Sequence, residues 1–172
     1  MQISSRGITM VRIHPFQPAD FAAVVAFVEA IQEHERLHVP DLKSGTEIGR
    51  PYANLLLRSI AERNGCMMIA RAEVGAVGFA CAWVEEDDDP LVCDSARIHA
   101  YISDIFVDCD WRRRGVASLL LDAVETTMRE RGCSRIRVCS KAANQLAIAC
   151  YETRGYRPYE IIFSKQLNGQ KM

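Results

Sequence analysis

The chain has 172 residues, 49% hydrophobic and 25% charged, an ordinary composition for a globular protein and a length that allows a real core. A formal net charge of -1 gives no electrostatic pull toward nucleic acid or an anionic membrane. No apolar run approaches the roughly 20 residues that span a bilayer.

Residues 1–9 are polar and lack the apolar centre of a signal peptide, so they read as a short flexible tail, with Met10 as an alternative start. Residues 8–14 read as a first strand, broken by Pro15 and Pro18. Asp20 is placed to cap a helix whose apolar positions, Phe21, Val24, Val25, Phe27, Val28 and Ile31, recur at helical spacing. That pattern fades over residues 33–38, and Pro40 stops it. Residues 41–49 read as a mobile loop. Pro51 then suits the first position of a second helix through Leu55, Leu56, Ile60 and Ala61, closed by Asn64-Gly65. Strands are expected over residues 66–72 and 76–85, with a turn at Glu73-Val74-Gly75 and an acidic connection over 85–90. Residues 101–107, rich in β-branched and aromatic side chains, read as a buried strand. Val116, Leu119, Leu120, Ala123, Val124 and Met128 mark a long helix over 115–131, ended by Gly132. A strand over 135–140, a helix over 144–154 ended by Gly155, and a last strand over 159–167 complete the chain.

This order predicts an α/β fold: a mixed central sheet with helices on both faces, in one domain over residues 10–172. The strand–helix–strand from 101 to 140 is expected as a right-handed parallel crossover. The seven cysteines are Cys66, Cys81, Cys93, Cys109, Cys133, Cys139 and Cys150. They are odd in number and show no Cys-x-x-Cys pair. They read as reduced thiols of a cytoplasmic protein, several of them core hydrophobes, and not as metal ligands.

The most informative stretch is Arg112-Arg113-Arg114-Gly115-Val116-Ala117, where the buried strand gives way to the long helix. The first N–H groups of a helix lack partners within it and stand at positive potential, a natural seat for phosphate. Gly115 lets a bulky ligand come close to the backbone. Neither the Walker nor the dinucleotide glycine pattern occurs. Arg-x-x-Gly-x-Ala instead resembles the pyrophosphate motif of the GNAT N-acetyltransferase superfamily. A second stretch, Asn144-Gln145-Leu146-Ala147-Ile148-Ala149-Cys150-Tyr151-Glu152-Thr153-Arg154-Gly155-Tyr156, resembles that family's Asn-x-x-Ala-x-x-x-Tyr-x-x-x-Gly-Phe/Tyr. Asn144, Ala147 and Tyr151 fall on one helix face. The order of elements from Met10 onward is also similar to the GNAT fold.

The resemblance implies acetyl-CoA as cosubstrate and an amine of a small molecule or peptide as acceptor. Neither nucleic acid nor membrane is implied as a partner, and the frequent dimers of the superfamily make a homodimer one expectation. It implies that Arg112, Arg113, Arg114, Gly115, Val116 and Ala117 hold the diphosphate. The pantetheine arm would run along Ile105, Phe106 and Val107, with Asn144 and Ala147 lining its channel. Tyr151 is implied as the acid for the departing thiolate, its phenol being protonated at pH 7. An alkylamine of pKa about 10.4 lies about 3.4 units above pH 7, so reaching its nucleophilic form costs about 4.6 kcal/mol. The site must therefore desolvate the ammonium or supply a base. Polyamine-type members commonly place Glu before Asp in the central strand, but this chain has Ser103-Asp104. Asp104 remains a candidate base, beside the reading of it as a structural carboxylate that bonds backbone or an arginine, and strand alternation sets it on the face opposite Ser103. A water chain ending on Glu33, Glu35 or Glu85 would serve equally well.

Two other readings compete. A non-catalytic acetyl-CoA-binding module would use the same turn without transferring anything. His34-Glu35-Arg36-Leu37-His38 matches His-Glu-x-x-His, the zinc peptidase pattern. Pro40 cuts off its helix, and Asp41 and Ser44 stand where the extended pattern needs glycine and histidine. In the family layout this segment borders the acceptor, so His34, Glu35 or His38 would meet substrate instead. The acidic run 85–89 is a solvated turn or a lure for a cationic acceptor.

Overall fold

Strand alternation organises the sheet. In the computed structural model, which describes residues 10–39, 41–165 and 167, five strands lie in the order β1-β2-β3-β4-β5. They are β1 (Arg12–Pro15), β2 (Cys66–Ala72), β3 (Gly75–Glu86), β4 (Ile98–Val107) and β5 (Ile136–Val138). The first four pair antiparallel, and β5 joins β4 in parallel. The expected parallel crossover is therefore present, carried by helix α4 (Val116–Glu130). Met67, Ile69, Phe79, Cys81 and Trp83 point to one face. There they join Val24, Phe27 and Val28 of α1 (Phe21–Arg36) and Ala53 and Leu56 of α2 (Gly45–Glu62) in one buried cluster. The alternate residues face α4: Leu120 Cδ1 lies 3.5 Å from where a Cβ on Gly78 would stand. Helices thus cover both faces.

Several expectations change. Residues 45–49 are not loop but the first turns of α2, and Pro51 lies inside that helix instead of opening it. Ser44 and Glu47 form a capping box, each side chain accepting the other's backbone N–H. Gly45 N–H also donates to Glu33 Oε1 at 2.6 Å. Asp20 does not cap α1. It closes a 3-10 turn (Pro18–Asp20), accepts from Gln17 N–H at 2.9 Å, and pairs with Arg71 while itself 1% exposed. Strand β1 is shorter than expected and includes Pro15, paired with Met68 at the sheet edge, where a missing donor is tolerated. Residues 8 and 9 of that expected strand, and Pro40, lie outside the described residues. A one-turn helix, α3 (Asp94–Arg97), interrupts the approach to β4.

The chain forms two compact units that divide between Cys139 and Ser140. The second unit carries α5 (Gln145–Thr153), for which Asn144 is the cap. The strand expected over 159–167 is absent among the described residues. Ile161, Ile162 and Phe163 are exposed there, Phe163 by 90%. Apolar alternation marks a segment able to enter a ladder, but a ladder forms only where a neighbouring strand supplies the hydrogen bonds.

Candidate functional site

Strand β4 carries an irregularity that the sequence does not announce. Ile102 pairs with Ala82 and Asp104 with Cys81, so Ser103 is an extra residue, a β-bulge. The alternation expected to oppose Ser103 and Asp104 therefore fails. A bulge lets two successive side chains share a face, and Asp104 turns to the side of Cys81, under α1 and α2. There Tyr52 of α2 donates its hydroxyl to Asp104 Oδ2 at 3.1 Å. Burial pushes the Asp104 carboxyl above the ordinary carboxylate range; the nearby Ser103 hydroxyl and the hydrogen bond from Tyr52 temper the rise, and the charge of Glu35 adds to it. Ser103 Oγ is buried without a hydrogen bond of ordinary geometry among the described residues. It is near enough to Asp104 and Cys81 to offset part of the upward shift that burial gives both. Burial and the Asp104 charge keep the Tyr52 phenol protonated far above its usual range. Sequence reasoning missed Tyr52. Its signal was the stripe Ile48, Tyr52, Leu56, visible only once α2 is known to begin at Gly45.

The same strand ends beside the basic turn. The ladder with β5 stops at Ile102–Val138, immediately before the bulge. Asp108 N–H bonds Val77 C=O on the β3 side, so alternation directs the backbone groups of Ile105 and Val107 to the side where β5 has ended. Val107 C=O there accepts Arg112 Nε at 3.0 Å, which ties the turn to the strand. Arg113 and Gly115 are both left-handed, with φ of 57° and 80°. Gly115 is the N-cap of α4, and no side chain among the described residues caps that helix. The amides of Val116 and Ala117 thus open α4 with its positive end bare. Nothing lies within 4 Å of where a Gly115 Cβ would stand, so glycine is required there for its φ and not by a protein neighbour. The Arg114 guanidinium lies 5.2 Å from the centre of the Trp111 ring.

In the second unit, Asn144 Oδ1 accepts Ala147 N–H at 3.2 Å and so caps α5. This engages the amide expected to meet the cofactor, although its NH2 group is a donor of its own. Asn144, Ala147 and Tyr151 are all half-buried, as one helix face requires, and the Tyr151 ring centre lies 5.7 Å from that of Tyr156.

The model of the acetyltransferase (GNAT) family matches residues 26–156. This chain belongs to the acetyltransferase (GNAT) family. It is 29% identical over 98 residues to N-acetyltransferase 8 of Homo sapiens, a match covering 57% of this chain and 41% of the human protein. The chain thus spans well under half the length of that curated relative. Among solved structures, aminoglycoside N-acetyltransferase AAC(6')-Iy in complex with CoA superposes with a TM-score of 0.69 at 20% identity, covering 96% of this chain and 100% of that one. A GCN5-related N-acetyltransferase from Ralstonia eutropha gives 0.70 at 17% identity, covering 92% and 100%. Both likenesses concern the fold.

Within this GNAT domain the remaining candidates separate. Glu35 lies near enough to Asp104 to act on its charge. Glu33 is spent on Gly45 N–H and Arg36, and Glu85 on Trp83 Nε1, Arg63 and His99. His34 and His38 are exposed, with ring centres 5.7 Å apart, and His38 lies beyond the end of α1. The acidic run is partly structural: Asp87 pairs with Arg137 at 3.2 Å. Cys66, Cys81 and Cys133 are buried, and burial pushes the Cys66 thiol up to about 11.

Proposed function

We propose that this chain is an acetyl-CoA-dependent N-acetyltransferase that moves the acetyl group to a primary amine of a small molecule or peptide by direct attack. The observation that supports this most is the uncapped start of α4, entered through left-handed Gly115, beside the unpartnered edge of β4. Val116 and Ala117 amides, aided by Arg113 and Arg114, would hold the diphosphate. The pantetheine amides would pair with Ile105 and Val107 like an added strand, alongside Phe106.

Asp104, its proton affinity raised by burial, takes the proton as the amine becomes nucleophilic. The nitrogen attacks the thioester carbonyl, and a β4 amide holds the oxyanion. The C–N bond forms, the C–S bond breaks, and the nitrogen gives up its second proton as the CoA thiolate takes one up. The Tyr151 hydroxyl meets the leaving thiolate, a role supported by the family motif it completes. Seven free thiols favour a reducing, cytoplasmic setting.

The test is free-thiol release from acetyl-CoA with a panel of diamines, aminoglycosides, amino acids and peptides. Tyr151→Phe should lower turnover by about 10²–10⁴ while acetyl-CoA affinity, read by calorimetry, holds. Equal turnover would remove Tyr151 from the mechanism. Tight acetyl-CoA binding with no thiol release for any amine would leave a binding module.

A further inference from the structure

We propose that Tyr52 is a positioning residue for the transfer reaction, its hydroxyl gripping Asp104 Oδ2 from α2 so that the carboxylate stays ionised and fixed in plane. The proposal rests on the reading of Asp104 as the base. The bond joins residues 52 apart in sequence at 3.1 Å, so it is tertiary and not a local accident. Tyr52 packs against the core cluster beneath α1 and α2, a setting in which phenylalanine would bury equal apolar area. The hydroxyl is the part that core packing does not ask for, and its hydrogen bond goes to the candidate base.

The groups facing Asp104 make this donor matter. Glu35 looks on from α1, Cys81 from β3, and Ser103 and Tyr101 from β4 itself. None is a cation. A buried carboxylate without a positive partner depends on neutral donors to stay charged. Only Ser103 and Tyr52 draw the Asp104 pKa down, and of these Tyr52 alone makes a hydrogen bond of full geometry among the described residues. Because the phenol does not ionise at any working pH, it donates throughout.

The sign follows. Tyr52 stabilises the charged form, so removing its hydroxyl raises the Asp104 pKa. Tyr52→Phe in the full chain should move the Asp104 carboxyl titration, followed by carbon-13 NMR, upward by about one pH unit. The acid limb of kcat/KM should move with it, measured by thiol release with acetyl-CoA and the amine of highest turnover from the panel. In an Asp104→Asn background, adding Tyr52→Phe should change kcat/KM by less than about twofold, since the hydroxyl acts through the carboxylate. A carboxyl titration unmoved by Tyr52→Phe, or an equal rate loss in both backgrounds, would overturn the tyrosine's part and leave Asp104 as base. An acid limb surviving Asp104→Asn unchanged would sink the base and this proposal together.

Discussion

Asp104 is asked to be both buried and charged. Burial raises its pKa in the folded chain above the unfolded value. Its protonated form therefore favours folding below the ordinary Asp pKa of about 3.9, and that contribution is lost as pH rises through the folded pKa. The charged form is thus a liability to stability, and on the proposed reading it is kept for chemistry. Asp104→Asn should raise Tm at pH 7, with the gain shrinking toward pH 3, while kcat/KM falls by about 10²–10⁴. Thermal melts across pH, run beside the thiol assay, check both halves; a lower Tm at neutral pH would contradict the account. Asp104 itself was legible from the sequence, but its partner was not. A helix stripe shows which residues are buried, and it does not show which buried hydroxyl meets a charge from a strand 52 residues away.

Helix α2 illustrates why some elements escape sequence reading. Gly45, Gly49 and Pro51 within seven residues signal a loop by propensity. Tertiary packing overrides them. A Cβ on Gly45 would stand 2.5 Å from the Glu29 carbonyl oxygen, and one on Gly49 would stand 2.5 Å from Glu29 Cγ. The glycines are what let α2 lie against α1, and the Ser44–Glu47 box starts the helix despite them. The first clash is with backbone, the second with a flexible side chain that can swing aside. Gly45→Ala should therefore cost about 2 kcal/mol or more, and Gly49→Ala about 1 or less. Denaturant melts of the two variants decide; equal losses would show that Glu29 cannot move. The bulge at Ser103 was invisible for a related reason. Period-2 counting assumes a regular ladder, and nothing in Tyr101 to Val107 marks the extra residue.

For the whole molecule, the sheet, its parallel crossover and the basic turn were readable because each has a local signature: alternation, helical periodicity, and a glycine ahead of an uncapped helix. The last strand was not, since pairing partners are a property of the fold and not of the segment. The turn also makes a global claim. Ligand that binds only the folded chain stabilises it by about 2.7 kcal/mol at 100 times Kd, or about 5–10 °C in Tm for a domain of this size. Acetyl-CoA should give such a shift. Gly115→Ala, forced to keep φ at 80° with a Cβ pointing to the ligand side, should lose about 1 kcal/mol of stability and at least tenfold in acetyl-CoA affinity. An undiminished shift in that variant would argue that the diphosphate sits elsewhere.

The supernumerary serine in β4 separates two properties of the strand that are usually tied together. Excising residue 103 would leave the inside–outside phase of residues 104–107 intact, because the ladder would simply close up. What would vanish is the extra residue by which a bulged strand bends, next to the point where the ladder with β5 stops. On the proposed function, the amine's half of the chemistry rests on phase and the thioester's half on bend, so either can be retuned without rewriting the other.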